Sequence, residues 1–263
     1  MSRVLATFSG RFGDILWSLP TVRELSRKHS EPVDFAIMPQ YKSLLPLLDS
    51  QSYIEKAIAL DDWECVGSPC GDQPWQPPVK YEQGYEHVYH LTYRQHPGMG
   101  CPALPLVDFI AWQQNLTLRP PVVPFIETKH AYALPTSICY GFNEQYADLK
   151  ERLLARMREC FSLPLINVAE LPWVEAAKKI NYAGIFIGCR SACWVIAMGV
   201  GAETFTYEPN LSRNAYGPWG KVFGSSYGHE TALSLQVTPE QGAEFIAKSI
   251  LAIVAGRSAS NML

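Results

Sequence analysis

"RVLATFSGRFGDILWSLPTVREL" (residues 3–25) joins a short β-type run to a leucine-patterned stretch through a loop that contains Gly10 and Gly13. Apolar residues at 15, 16, 19, 22 and 25 recur at the spacing of one helix face, so the stretch reads as strand, turn, helix. Pro20 interrupts that reading, because proline inside a helix loses a hydrogen bond and crowds the preceding turn. Either the helix is kinked there or its regular part begins near Ser18, a good N-cap with proline in the first turn. Asp14 sits at the junction, where a carboxylate serves as a helix cap or points at a ligand; these residues alone admit both.

The same rhythm continues outward. "VDFAIM" reads as a second strand, "YKSLLPLLDS" as a second short helix and "IEKAIAL" as a third strand. A β-α-β-α-β order is the mark of a parallel sheet with right-handed crossovers. Residues 66–83 are rich in glycine and proline and read as irregular loop; "YEHVYHLTY" resumes as a strand and "ALPLVDFIAWQQNL" as a helix. "RPPVVPF" (119–125) is a stiff extended linker and the expected domain boundary. Beyond it, "SICYGF", "LPLINV", "GIFIG" and "ETFTYE" read as strands. "EQYADLKERLLARMREC", "PWVEAAKKI", "SACWVIAMGV" and "TPEQGAEFIAKSILAIVAG" read as helices, the last opened by a Thr238/Gln241 capping box.

The expected architecture is therefore α/β, with two Rossmann-like domains facing across a cleft. Residues 1–125 form the first domain and 126–240 the second; 241–263 form a C-terminal helix that can pack back on the first. Open α/β sheets bind ligands at the carboxyl ends of their strands. The glycine-bearing turns 9–14 and 188–192 both fall at such ends.

Composition narrows the function class. Hydrophobic residues make up 48% of the 263 and charged residues 18%, enough apolar material for packed cores and too little charge for a disordered chain. A net charge of −3 and the lack of a basic stripe argue against nucleic acid as partner. The seven cysteines form no CxxC pair and no histidine cluster has metal-ligand spacing, so no metal site is expected and free thiols in a reducing, cytoplasmic setting are. No signal peptide and no membrane-spanning stretch is read from the chain.

In "GIFIGCRSACW", a buried strand runs out at Gly188 and small residues, Ser191 and Ala192, open the next helix. Exposed backbone N–H groups and the helix dipole make such a turn an anion site, and Arg190 can add a bidentate contact. A small-residue turn that merely lets strand and helix pack tightly reads equally well. Arg11, in the Asp14 loop, can hold an acceptor phosphate or carboxylate or stay solvated. Tyr216, Pro218 and Trp219 can flank a nucleotide base or simply stiffen their loop. His87, His90, Tyr93, Arg94 and His96 gather around one strand end, where one or two could hydrogen-bond an acceptor, although scattered surface histidines are the commoner explanation of such a group.

Four stretches in order carry a resemblance. "IGCRSACWVIAMGVGAET" (187–204) resembles the strand-to-helix "IGxDSGxxH" motif of the heptosyltransferase-type glycosyltransferases, family nine. "GDILWSLPTVREL" is similar to that family's N-terminal Gly-Asp motif, "YEHVYHL" to its "YDLVIDL" strand and "YEPNLSRNAYGPWG" (207–220) to its glycine-proline loop. The resemblance runs from residue 4 to about 255. It implies a two-domain fold of the glycosyltransferase B type, with the acceptor on the N-terminal domain and a nucleotide-diphosphate sugar such as ADP-heptose on the C-terminal one. It further implies inverting transfer to a glycan or lipopolysaccharide-type hydroxyl, without a metal or other cofactor. Asp14 takes the place of the family's catalytic base; Gly13, Gly188, Arg190, Ser191 and Ala192 fall in its substrate-binding motifs.

The chain departs from the pattern where the family's motif aspartate is Arg190 and its histidine is Val195. The family's phosphate-contacting lysine has no counterpart except Lys150, deeper in a helix. The departures leave room for a non-catalytic nucleotide- or glycan-binding protein, and for a transferase acting on a modified nucleic-acid base.

Overall fold

A computed structural model of the chain describes residues 3–63, 76–92, 106–128, 137–160, 162–208, 230–234 and 238–260. The chain divides near residue 127 into two units. In the first, β1 (Val4–Phe8) is buried along its whole length, as its largely apolar run suits for a strand covered on both faces. It is followed by α1 (Phe12–His29), β2 (Val33–Ile37), a 3₁₀ turn running into the one-turn α2 (Leu45–Leu48), β3 (Ile54–Ala59), β4 (His87–Leu91) and α3 (Leu106–Gln113). The strands are parallel in the order β3-β2-β1-β4.

α1 begins at Phe12 and runs unbroken through Pro20, so its regular part does not wait for Ser18. Pro20 is buried, and the Ser18 hydroxyl donates to the Ile15 carbonyl at 2.7 Å inside the helix. The apolar side of α1 (Ile15, Leu16, Leu19, Val22 and Leu25) is fully buried. Burial of this kind, worth about 1.5–3 kcal/mol per large side chain, outweighs one missing helix hydrogen bond.

The first unit also holds the linker. The Arg23 guanidinium donates to the carbonyls of Pro121 (2.9 Å), Val122 (2.7 Å) and Pro124 (2.6 Å). Tyr53 donates to the Phe125 carbonyl at 2.5 Å, and Glu127 accepts from the backbone and hydroxyl of Ser52. Prolines supply carbonyls with no N–H of their own, and a forked donor suits such a row.

The second unit consists of β5 (Ile138–Gly141), α4 (Ala147–Cys160), β6 (Leu165–Asn167), α5 (Trp173–Ala183), β7 (Ile185–Cys189), α6 (Ala192–Val200), β8 (Glu203–Glu208), β9 (Glu230–Ser234) and α7 (Pro239–Ser260). Its parallel order is β6-β5-β7-β8-β9. β9, a short and largely polar edge strand, was not among the elements expected from the sequence. α7 opens with the anticipated box: Thr238 Oγ1 accepts from the Gln241 N–H at 3.2 Å and Gln241 Oε1 from the Thr238 N–H at 3.1 Å. Ala243, Ile246 and Ile250 then join Leu153 and Met157 of α4 over Ile138, Ile185, Ile187 and Phe205. The pairs Arg152–Glu240 and Arg156–Glu244 border that seam, which fixes α7 against α4 within the second unit.

In each sheet the strand order reverses once, at β1/β4 in the first and β5/β7 in the second. Such reversals leave a crevice beyond the strand carboxyl ends, where crossover helices on the two sides diverge. The turns 9–14 and 188–192 each follow a strand that flanks a reversal.

Candidate functional site

Beyond β1 the chain passes Ser9 and Gly10 and enters α1. A Cβ at Gly10 would run into the Phe8 ring and come within 2.5 Å of the Asp14 Cβ, so only glycine lets the loop fold this close over the helix start. Arg11 is the N-cap, with extended backbone at φ −74° and ψ 174°. Its side chain is exposed and has no acceptor to offer a helix N–H. Asp14, in the first turn, supplies the reciprocal contact, its Oδ2 accepting the Arg11 backbone N–H at 3.0 Å. The carboxylate is partly buried at the positive end of the helix dipole. Gly13 precedes it in the same turn, and the Phe12 ring meets Tyr41 edge-on at 4.9 Å.

The histidines gathered by sequence separate in space. Along a strand, side chains three apart lie on opposite faces, and β4 sends His87 and His90 opposite ways. His87 packs on His29 of α1 with ring centroids 4.5 Å apart, and His29 Nε2 lies 2.9 Å from the Tyr89 hydroxyl. His90, on the other face, pairs in register with Thr7 of β1. Its Nδ1 is 2.9 Å from Thr7 Oγ1 and its Nε2 is 3.3 Å from Glu82 Oε1. Burial holds the His90 imidazole below its ordinary range, and Glu82 opposes that shift. Gln114 anchors the strand end by donating to the His90 carbonyl at 3.0 Å. Neither Thr7 nor Glu82 was singled out by sequence. Tyr93, Arg94 and His96 lie outside the described residues.

In the second unit, all five residues of β7 are buried. Gly188 is paired with Gly141 on one side and Thr206 on the other. A Cβ on Gly188 would strike the Gly141 carbonyl and come within 2.9 Å of the Phe186 ring, so this glycine serves the close approach of β5 and β7. Ser191 is the N-cap of α6, its Oγ accepting from the Trp194 N–H at 3.4 Å. Ala192 is the first residue of the helix. The Arg190 guanidinium lies over the Trp194 ring, 5.4 Å from its centroid, a stacking that holds the cation beside the helix start.

Cys189 and Cys193 are buried, as expected of core thiols, and Cys189 Sγ accepts the Asn143 N–H at 3.2 Å. Burial pushes the Cys193 thiol up to about 12, which makes it a poor nucleophile. Val195, where the resemblance expects histidine, is buried at 2% exposure and faces the core. Tyr216, Pro218 and Trp219 lie outside the described residues. Among the described residues no group of three or more His, Cys, Asp or Glu side chains is placed to hold a metal ion, and no helix is long and apolar enough to cross a membrane.

No protein-family model and no curated protein sequence matches the chain. Solved structures do. Escherichia coli heptosyltransferase WaaC with ADP aligns with a TM-score of 0.62 at 10% identity, over 94% of this chain and 99% of that one. E. coli ADP-heptose lipopolysaccharide heptosyltransferase II aligns at 0.62 and 14% identity, over 95% and 99%. TibC, an iron-containing dodecameric glycosyltransferase of enterotoxigenic E. coli, aligns at 0.53 and 12%, over 100% and 77%. At these identities the shared property is the fold. It is the fold of the enzymes whose motifs the sequence resembles.

Proposed function

We propose that the protein is a glycosyltransferase of the B type, moving a sugar from a nucleotide-diphosphate donor of the ADP-heptose kind to a hydroxyl of a glycan or lipopolysaccharide-type acceptor. The acceptor binds the first unit and the donor the second. The observation that carries the reading is the position of Asp14: a carboxylate in the first turn after β1, at the strand-order reversal, in a chain that shares the heptosyltransferase fold over 94% of its length.

In this reading Asp14 takes the proton of the acceptor hydroxyl as its oxygen attacks the anomeric carbon. The carbon–oxygen bond to the diphosphate breaks on the opposite face, and the configuration inverts. General-base help of this kind is worth roughly 10²–10⁴ in rate. The departing diphosphate gathers negative charge, which the N–H groups at the start of α6 and the Arg190 guanidinium are suited to stabilise. No metal ion enters the step, and Arg190 supplies charge that the family's missing lysine and histidine would have given. Arg11 is available to the acceptor.

The same substitutions favour one other reading, a nucleotide- or glycan-binding protein without turnover, because Arg190 and Val195 replace an acid and a histidine of the donor motif. The test is a thermal-shift screen of ADP-, UDP-, GDP- and CMP-sugars, followed by donor turnover in wild type and Asp14→Asn. Stabilisation by one nucleotide-sugar with Asp14-dependent turnover supports the enzyme, and stabilisation without turnover supports the binder. If no nucleotide stabilises the protein, both fail.

A further inference from the structure

The first unit contains a cavity unrelated to the two turns. It lies on the sheet face opposite α1, has a volume of about 190 Å³ and is lined by Leu5, Ala36, Ile58, Ala59, Leu60, Asp61, Tyr81 and Tyr85. Its floor is aliphatic: Leu5, Ala36 and Leu60 are at most 4% exposed. Two tyrosine rings form its wall. An apolar cavity of about 150 Å³ accepts benzene, so this volume suits a single six-membered ring.

The rim is acidic and aromatic. Tyr85 donates its hydroxyl proton to Asp34 at 2.7 Å, and Tyr81 donates to Asp62. A phenol that donates to a carboxylate gains electron density in its ring, which strengthens its attraction for cations. Cations already exploit both rings: Arg3 lies 4.5 Å from the Tyr85 centroid and Lys80 4.9 Å from that of Tyr81. Asp34 has Arg3 as counter-ion and Asp62 has Lys80. Asp61, exposed at the cavity mouth, has no such partner among the described residues.

We propose that this cavity binds a small organic amine, its ring-sized apolar body on the aliphatic floor and its ammonium between Asp61 and the two tyrosine rings. The surrounding apolar cluster extends to Tyr41, whose ring meets Phe12 in the first turn of α1. An occupant would therefore lie across the sheet from α1, reaching its first turn only through the Tyr41–Phe12 contact, in the unit assigned above to the acceptor. The inference does not depend on that assignment.

The test is a methyl-resolved NMR titration of the full chain with benzylamine, benzyl alcohol and benzoate. Benzylamine should shift the Ile58 and Leu60 methyls saturably at millimolar concentration, with benzoate at least tenfold weaker. Asp61→Asn, an exposed change that leaves the core intact, should bring benzylamine within twofold of benzyl alcohol. Ala36→Leu, on the same sheet face as Leu5 and Ile58, should abolish all three shifts by filling the cavity. Absence of a saturable shift at Ile58 and Leu60, or equal affinity for benzylamine and benzoate, overturns the proposal. Because the titration contains no nucleotide, its failure leaves the glycosyltransferase reading standing, and a failed nucleotide screen leaves this one standing.

Discussion

Oδ2 of Asp14 accepts the backbone N–H of Arg11 at 3.0 Å, so the carboxylate proposed as the base is also part of the start of α1. The two roles come apart under substitution. Asn keeps an oxygen that can accept the Arg11 N–H but cannot take a proton. Asp14→Asn should leave unfolding within about 0.5 kcal/mol of wild type and lower donor turnover by roughly 10²–10⁴. Asp14→Ala should lose the same turnover and also about 0.5–2 kcal/mol of stability. Urea denaturation beside a donor-consumption assay separates them, and wild-type turnover in Asp14→Asn would remove the base.

Arg190 offers a matching test in the second unit. If its guanidinium meets the diphosphate, Arg190→Ala should weaken ADP far more than adenosine, by the roughly 1.5–3 kcal/mol of a charge-assisted hydrogen bond, or about 10–150-fold. Arg190→Lys should recover only part of this, because an ammonium neither stacks flat on Trp194 nor donates in a fork. Calorimetric titration of both nucleotides reads the difference, and equal losses for ADP and adenosine would place Arg190 elsewhere.

These tests rest on features of unequal legibility in the sequence. β7 announces itself because a parallel strand covered on both faces is a continuous apolar run, and β1 and β2 follow with one polar residue each, Thr7 and Asp34. The Thr238/Gln241 box is a local signal and forms as written. The start of α1 was obscured by Pro20, since local propensity cannot weigh one lost hydrogen bond against five buried side chains of a helix face. β9, "ETALS", has no apolar periodicity to reveal an edge strand. Thr7 and His90 lie 83 residues apart and meet only through the register of β1 on β4, which no short window contains. Asp14 was visible as a carboxylate after a strand, whereas its bond to the Arg11 backbone depends on the Gly10 turn.

Gly188 is the residue on which the β5–β7 spacing depends. In Gly188→Ala the new methyl would meet the Gly141 carbonyl, a backbone group that cannot rotate away. Overpacking of this kind costs about 1–3 kcal/mol. Gly141→Ala meets the Cys193 Cβ at 3.3 Å and the Phe186 ring at 3.4 Å, a crowding that small shifts relieve, so it should cost distinctly less. Chemical denaturation of the two variants should rank them in that order.

Arg23 holds the linker through three carbonyls of a proline-rich run. Burial lowers its affinity for the proton, with Arg27 adding to the effect, yet a guanidinium stays charged at any physiological pH. Arg23→Ala removes three hydrogen bonds, one of them to the part-buried Val122 carbonyl, and should cost about 1 kcal/mol. Arg23→Lys, able to make one of them, should fall between. Amide exchange of Glu127, whose N–H donates to Gln51 at 2.7 Å, should quicken in the same order if the strap is what holds this segment down.

Two histidines make stability fall toward acid. Burial lowers the affinity of His29 and of His90 for a proton; His87 and Lys28 add to the effect at His29, while Glu82 opposes it at His90. Unfolding releases both to their ordinary value near 6.5, so below that pH the unfolded chain binds protons that the folded chain still refuses. Stability is therefore complete above about pH 7.5. It falls as pH drops through 6.5 and levels off only below the folded-state values. Most carboxylates titrate well below this window, so thermal unfolding between pH 7.5 and 5.5 isolates the effect. Tm should decline over that interval, and His29→Gln should flatten part of the slope. Glu82→Gln should act in the opposite sense: without the carboxylate that favours the imidazolium, His90 resists protonation further and the decline extends to lower pH. A slope unchanged by either variant would mean that these imidazoles titrate alike folded and unfolded.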